Sequence, residues 1–271
     1  MKKSVNRGIG RRQAHGELID YVAIDEKGYK EGHNYVTILS DADNARVLEV
    51  TEDRTIESVR KCYKVLNYNQ LAHLKGISMD MWSAFASVSK EVAPQADIVH
   101  DRFHLSCYLN DAVDITRRAE NKKLLKNDNE LLKGTKYIWL KNTDNLSTKN
   151  KELLDTILLQ LELKTVQAFQ MKEEFKQFFE AQTIPEATIF FNKWFLKVAD
   201  SNNVQLIKVA KMFKKHFEGL INYTTHRISN AIAESLNSKI QQLKAKARGF
   251  SSPAAFRIAI LFHLGKLDLY P

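Results

Sequence analysis

Five short apolar runs in the first hundred residues constrain the fold more than any other feature of the chain. They are LIDYVAID (18–25), HNYVTILSD (33–41), ARVLEVT (45–51), KGISMD (75–80) and ADIVHD (96–101). A turn cluster at 41–44 separates the second run from the third, which predicts that the first three strands form an antiparallel meander. Helical patterns over 55–66 and 82–92 flank the fourth run. The order βββαβαβ predicts a mixed five-stranded sheet with strand one central, beside strand four.

From Arg102 onward the pattern is helical almost to the end, and ten Gly and four Pro leave few turns to interrupt long helices. The fold class is therefore α/β, on a ribonuclease-H-like plan, with a large all-α insertion between strand five and a late helix. We expect three parts: a basic N-terminal arm (1–17), a ribonuclease-H-like domain (18–104 and 205–271) and the insertion (105–204).

Two apolar patterns define the core expected for the insertion. One is the series Leu154, Ile157, Leu158 and Leu161, spaced as on one helix face. The other is the phenylalanine run of 175, 178 and 179, which we interpret as core rather than as a surface on which bases stack.

Composition excludes several classes of protein. Apolar residues make up 44% of the chain, which is enough to build a core and excludes a mainly disordered protein. No apolar run reaches 18 residues and the N-terminus has no apolar segment, so we expect a soluble, cytoplasmic protein without a signal peptide or membrane partner. Cys62 and Cys107 have no CxxC spacing, which predicts core thiols rather than a zinc site or a disulfide.

Positive charge is concentrated at both ends of the chain. Residues 1–12 carry +5 and residues 204–271 carry +8, so the stretch between them carries −4 of the total of +9. Such clusters suit a polyanion, because cations that neutralise phosphates release counterions. The alternative is a basic surface that serves only solubility. The candidate DNA-binding residues are Lys2, Lys3, Arg7, Arg11, Arg12, Arg227, Lys239, Lys244, Lys246 and Arg248.

Aspartates close two of the predicted strands. Asp25 ends strand one and Asp80 ends strand four, so neighbouring strands would deliver two carboxylates to one edge of the sheet. Hard oxygen ligands of this kind suit Mg²⁺, and two such ions about 4 Å apart serve phosphodiester chemistry. The alternative for any single strand-end aspartate is an ordinary turn residue.

A third acid is available on the late helix, SNAIAESLNSKIQQLKAKARGF (229–250). Its apolar stripe is Ile232, Leu236, Ile240, Leu243 and Ala247, and this stripe defines the buried face. Asn230, Glu234 and Asn237 fall together on another face. Glu234 is the only acid in the helix and lies among cations, although a solvated helix glutamate is the simpler interpretation.

A further acidic candidate lies after strand five. Asp101 and His104 have an i, i+3 spacing that lets both side chains reach one metal on a helix. Equally, Asp101 could cap the helix that begins there, with His104 packed beneath it. We expect Asp80 rather than Asp101 to be the second metal ligand, because strand five lies one strand further out.

Five sequence blocks now stand in order: AIDEKGYKEGHNYVTILSD, ISMDMWSAF, PxAxIVHDRFH, SNAIAESLNSKI and ARGF. Together they resemble the DDE transposases of bacterial insertion sequences in the ISL-three family, from about residue 15 to 262. The resemblance implies a ribonuclease-H-like nuclease and strand transferase that uses two Mg²⁺ ions, with Mn²⁺ as a substitute. It assigns the catalytic, metal-binding acids to Asp25, Asp80 and Glu234, and Asp101 and His104 resemble an Asp-x-x-His element that related transposases carry beside the active site. Asn230 and Asn237 are further supporting candidates, because they share a helix face with Glu234.

The same resemblance implies double-stranded DNA as the partner, both transposon ends and target, with a homo-oligomer assembled on DNA and a nucleoid-associated location. Such transposases usually carry an N-terminal zinc-binding segment and a helix-turn-helix region, and neither precedes strand one here. We therefore expect a truncated or frameshifted reading frame, or the catalytic part of a longer polypeptide. The alternative function is a catalytically silent remnant that still binds nucleic acid.

Overall fold

The computed structural model describes residues 1–30, 34–228 and 230–270, apart from the side chains of residues 230 and 231. In chain order the elements are α1 (Lys2–His15), β1 (Tyr21–Gly28), β2 (Tyr35–Asp41), β3 (Arg46–Glu52), α2 (Ile56–Tyr63), α3 (Tyr68–His73), β4 (Gly76–Met79), α4 (Ser83–Val92), β5 (Asp97–His100), α5 (Arg102–Leu124), α6 (Lys136–Leu140), α7 (Thr148–Leu158), α8 (Lys164–Phe175), α9 (Ile184–Asp200), α10 (Val204–Lys215), α11 (Phe217–His226), α12 (Asn230–Lys246) and α13 (Pro253–Leu264). Short 3₁₀ helices cover Leu125–Asn127, Thr143–Asn145 and Lys176–Glu180.

The chain divides into two compact units. Unit 1 combines Met1–Asp101 with His226–Pro271, and unit 2 is Arg102–Thr225. The second boundary falls later in the chain than the predicted one at residue 204. None of the helices in the described ranges is both long and apolar enough to cross a membrane.

Unit 1 contains the predicted mixed sheet. The strand order is β3-β2-β1-β4-β5, in which β1 pairs antiparallel with β2 and parallel with β4. This confirms both the α/β class and the central position of strand one beside strand four. Thr55 caps α2 and Ser252 caps α13 through their side chains, as the local sequence predicts.

Apolar side chains cover both faces of this sheet. On one face, Ile24 of β1 and Met79 of β4 pack in a core with residues of α2 and α4, including Phe85. On the other face, residues of β2 and β3 pack with α12 and α13, where Leu236 and Ile240 are buried. The predicted stripe of the late helix is therefore confirmed, except that Ala247 is exposed.

The predicted N-terminal arm is a helix packed within unit 1. Val5 and Gly8 are buried, and the basic side chains beside them have internal partners. Arg7 donates to the carbonyl of Leu269 and Arg11 pairs with Asp268. Arg12 donates to the carbonyls of Val47 and Leu48, and burial lowers its pKa to about 10. This segment packs as a helix instead of extending as an arm because Val5 and Ile9, four residues apart, give it one apolar face.

Unit 2 is built around aromatic side chains. The ring of Phe175 lies 4.6 Å from that of Trp194, 5.2 Å from Phe213 and 5.3 Å from Phe178, measured between ring centroids. All four rings are almost completely buried, so the interpretation of these phenylalanines as core is confirmed.

Two expected core positions differ from the prediction. Leu161 is 62% exposed. Helix α7 ends at Leu158, so the helical spacing from Leu154 does not place Leu161 on the buried face. Cys107 is only half-buried, whereas Cys62 lies in the sheet core, where burial raises its thiol pKa to about 12.

The phenylalanine cluster yields a stability prediction. Replacing Phe175 by Ala should lower the free energy of unfolding by about 3–5 kcal/mol, because the cavity left among rigid rings cannot close. Urea unfolding followed by circular dichroism measures the change. Leu161→Ala is the matched control and should shift stability by less than about 0.5 kcal/mol. Equal losses for both variants would contradict the assigned core.

Candidate active site

Two aspartates stand at the carboxyl ends of the two central parallel strands. In the β1–β4 register, Ile24 faces Met79, and Asp25 and Asp80 are the residues that follow them. Since successive side chains alternate between faces, both aspartates lie on the face opposite to the α2 and α4 core, which is the face covered by α12. The predicted meeting of these two strand ends at one edge is confirmed.

Each carboxylate is oriented by its own backbone. The amide of Glu26 donates to Oδ1 of Asp25 at 2.8 Å, and the amide of Met81 donates to Oδ1 of Asp80 at 2.6 Å. Both aspartates are half-buried. The same local geometry thus holds two carboxylates on neighbouring strands.

Among the described residues, two polar contacts join helix α12 to β1. Nδ2 of Asn237 donates to Oδ2 of Asp25 at 2.6 Å, and Nζ of Lys244 donates to the carbonyl of Gly28 at 3.0 Å. Glu234 is exposed and lies one helical turn before Asn237, on the side of α12 that carries the Asp25 contact. The side chain of Asn230, another predicted supporting residue, lies outside the described part.

The three acids differ in how far the structure brings them together. Asp25 and Asp80 come directly after the paired residues of the adjacent strands β1 and β4, at one edge of the sheet. Glu234 lies one helical turn before Asn237, and Asn237 contacts Asp25 at that edge. Among the described residues, no group of three or more His, Cys, Asp or Glu side chains is close enough to hold a metal ion. Carboxylate oxygens are the ligands that Mg²⁺ prefers, so the donor chemistry fits. The complete three-acid ligand set stays a prediction.

Asp101 and His104 fall on different sides of the unit boundary. Asp101 follows β5 in unit 1, where its amide donates to the carbonyl of Met79 at 2.9 Å. His104 lies on α5 in unit 2, with its ring 5.7 Å from that of Phe103. A joint role for the pair stays a prediction.

Sequence reasoning missed a cation beside Glu26, the residue that follows Asp25. Nη1 of Arg54 pairs with Oε1 of Glu26 at 2.7 Å, and the guanidinium packs on the rings of Tyr35 and Trp82. Trp82 stands two residues after Asp80, within the block that suggested the resemblance. Arg54 gave no signal, because it lies between recognisable elements and only folding brings it to this edge.

The candidate DNA-binding cations fall into two groups. Lys244 and the α1 residues Arg7, Arg11 and Arg12 donate to partners within unit 1, and Arg227 is half-buried with a left-handed backbone (φ 48°). The exposed cations of α12 and the turn after it are Lys239, Lys246 and Arg248, and Lys2 and Lys3 are exposed on α1. Both α1 and the late helix therefore present accessible cations, although Arg7, which is also exposed, donates to a backbone carbonyl.

Comparison with known protein families agrees with this arrangement. A family model described as "Transposase", that of the ISL-three DDE transposases, matches residues 22–260, which include most of β1 and most of α13. The chain belongs to this family.

Curated relatives within the transposases are distant in sequence but similar over most of the chain. The transposase for insertion sequence element IS1001 of Bordetella parapertussis is 26% identical over 252 residues, which covers 92% of this chain and 62% of the relative. The transposase for insertion sequence element IS1557 of Mycobacterium tuberculosis is 23% identical over 257 residues, which covers 86% of this chain and 57% of the relative. The chain thus spans about three fifths of the length of these relatives.

The Asn237 contact yields a test that does not depend on activity. Asn237→Ala should lower the free energy of unfolding by about 1.5 kcal/mol or more, because the Asp25 carboxylate, a charged acceptor, loses the hydrogen bond that Asn237 donates. Asn237→Asp should cost more, since it places a like charge there. The exposed neighbour Ser238→Ala is the control in urea unfolding. No difference between Asn237→Ala and the control would show that the contact does not hold α12 in place.

Proposed function

We propose that this transposase chain is a catalytic domain with a ribonuclease-H-like fold, which hydrolyses phosphodiesters at insertion-sequence ends and transfers the released strand to target DNA. The observation that carries the proposal is the β1–β4 register, which sets Asp25 and Asp80 side by side on the face covered by α12. The Asn237–Asp25 hydrogen bond supports the role of Glu234 as the third acid, because it joins the helix that carries Glu234 to that edge.

The proposed chemistry has two in-line steps. Water first attacks a phosphodiester at the transposon end, which leaves a DNA 3′-hydroxyl and a 5′-phosphate. That 3′-hydroxyl then attacks a phosphodiester of the target strand, forming one bond to phosphorus as the target's own 3′-oxygen leaves. Both steps develop negative charge on phosphate oxygens, and free carboxylates alone would repel that charge.

The acids of this chain supply the ligands for a divalent cation. Asp25, Asp80 and Glu234 would hold two Mg²⁺ ions, or Mn²⁺ in their place, which activate the attacking oxygen and stabilise the leaving one. Asn237 keeps Asp25 oriented through Oδ2, while the Glu26 amide occupies Oδ1. Arg54 pairs with Glu26 and so offsets a neighbouring negative charge at the same edge.

DNA would approach this edge along accessible cations. Lys239, Lys246 and Arg248 are exposed on and just after the helix that carries Glu234, where they can contact phosphates flanking the attacked bond. We further propose that copies of the chain assemble on paired ends and that the protein is nucleoid-associated when bound.

The catalytic proposal predicts loss of DNA nicking when any of the three acids is neutralised. Asp25→Asn, Asp80→Asn and Glu234→Gln should each lower Mg²⁺-dependent nicking at least roughly 100-fold, because several kcal/mol of charge stabilisation depend on the bound ions. The substrate is duplex DNA ending in the terminal repeats of the parent element, and chelation by EDTA should stop nicking by the unaltered chain. Glu218→Gln, at an exposed glutamate of α11, is the control and should remain active.

Two outcomes would change this assignment. An inactive Asp101→Asn beside an active Asp80→Asn would move the second ligand from β4 to β5. An unaltered chain that binds the same DNA but leaves it intact in Mg²⁺ and in Mn²⁺ would favour the alternative, a silent nucleic-acid-binding remnant.

The accessible cations yield a prediction about salt. Changing Lys239, Lys246 and Arg248 together to Gln should reduce the slope of log Kd against log salt by about 0.9 for each phosphate that the variant no longer neutralises. The control changes Lys122, Lys126 and Lys151, exposed lysines of unit 2, and alters net charge equally. Anisotropy titrations at several salt concentrations measure both slopes, and a larger effect of the control would move the DNA track to unit 2.

A further inference from the structure

An arginine that packs on two aromatic rings lies near the edge of the sheet where Asp25 and Asp80 come directly after the paired residues of their strands. The guanidinium carbon of Arg54 is 4.4 Å from the ring centroid of Tyr35 and 4.7 Å from that of Trp82. The ion pair with Glu26 uses Nη1. A guanidinium has five N–H donors, so it can keep this pair and also donate to a phosphate.

The backbone around Arg54 is held in an unusual conformation. Asp53 has a left-handed φ of 69°, which is costly for a residue other than glycine. Its amide donates to the carbonyl of Tyr35 and its carbonyl accepts from Oγ1 of Thr37. These bonds fix the turn after β3 against β2, and they thereby set the position of Arg54 before any ligand arrives.

Trp82 presents an indole ring to solvent. It is 41% exposed, whereas the other two tryptophans of the chain, Trp139 and Trp194, are 0% and 1% exposed. An exposed tryptophan forgoes a large hydrophobic gain, so it commonly marks a contact surface. Arg54 packs on the Trp82 ring, and this contact restrains the indole before DNA binds. Glu26 lies on the α2 and α4 face of β1, so this group is on the opposite face of the sheet from the two aspartates.

We propose that Trp82 and Arg54 form a subsite for one unpaired nucleotide of the DNA strand next to the attacked phosphodiester. The base stacks on the exposed part of the indole, and Arg54 donates to the adjoining phosphate. The base must be unpaired and unstacked, because inside a duplex both of its faces are covered by neighbouring bases. The assignment rests on the proposed function, since it takes the Asp25 and Asp80 edge as the reacting edge.

Binding without chemistry tests the subsite. The full chain is titrated in EDTA with a forked DNA, a duplex that ends in short unpaired arms, and with a blunt duplex of the same length. Because Trp139 and Trp194 are buried, a base that stacks on Trp82 should quench the accessible part of the tryptophan emission. The forked DNA should quench and the blunt duplex should not.

Three variants separate stacking from simple bulk. Trp82→Leu keeps an apolar side chain without a π-face and should lose the preference for forked over blunt DNA by roughly tenfold. Trp82→Phe keeps a ring, so it should retain most of the preference while the quenching disappears. Tyr68→Ala is the control, because Tyr68 is exposed on α3, which precedes β4 and so lies toward the opposite end of that strand.

The results that would overturn the subsite differ from those that would overturn the catalytic proposal. Equal affinity of the unaltered chain for forked and blunt DNA, or an undiminished preference in Trp82→Leu, would exclude it. Quenching by free dAMP as strong as by forked DNA would exclude a subsite for a strand. Asp25→Asn should keep both the fork preference and the quenching, so an inactive acid leaves this measurement intact.

Discussion

The parallel pairing of β1 with β4 is the constraint on which the candidate site depends. Ile24 and Met79 face each other across the two central strands and bury their side chains in one core. The residues that follow them must then point to the opposite face. A shift of register by one residue would send one aspartate into the apolar core with α2 and α4, where an unpaired carboxylate is costly. Burial of the apolar core therefore also keeps Asp25 and Asp80 at neighbouring positions, directly after the paired residues of adjacent strands.

Helix α12 is positioned by apolar and polar contacts that act together. Leu236 and Ile240 bury its inner side against the sheet, which sets the rotation of the helix about its axis. The contacts of Asn237 with Asp25 and of Lys244 with Gly28 then set its position along β1. Apolar packing alone would tolerate small sliding movements, whereas two hydrogen bonds two helical turns apart do not.

Positive charge in this chain has two uses that composition does not distinguish. In α1, Arg7 and Arg12 donate to carbonyl groups of unit 1, and Arg12 is buried enough that its pKa falls to about 10. The Arg12 guanidinium stabilises the fold through part-buried hydrogen bonds to backbone carbonyls, whereas the Arg7 contact is exposed to solvent. Lys239 and Lys246 on α12 are exposed and keep their charge available to a polyanion.

The sequence by itself determined the strand order, the caps of α2 and α13, the stripe of α12 and the two strand-end aspartates, because each is written in local periodicity and residue type. It also carried the family through its ordered blocks. Only the tertiary structure decided that residues 2–15 pack as a helix, that Leu161 is exposed and that Arg54 reaches Glu26 and Trp82. Those outcomes depend on partners distant in sequence or on where a helix ends, and a local pattern does not contain that information.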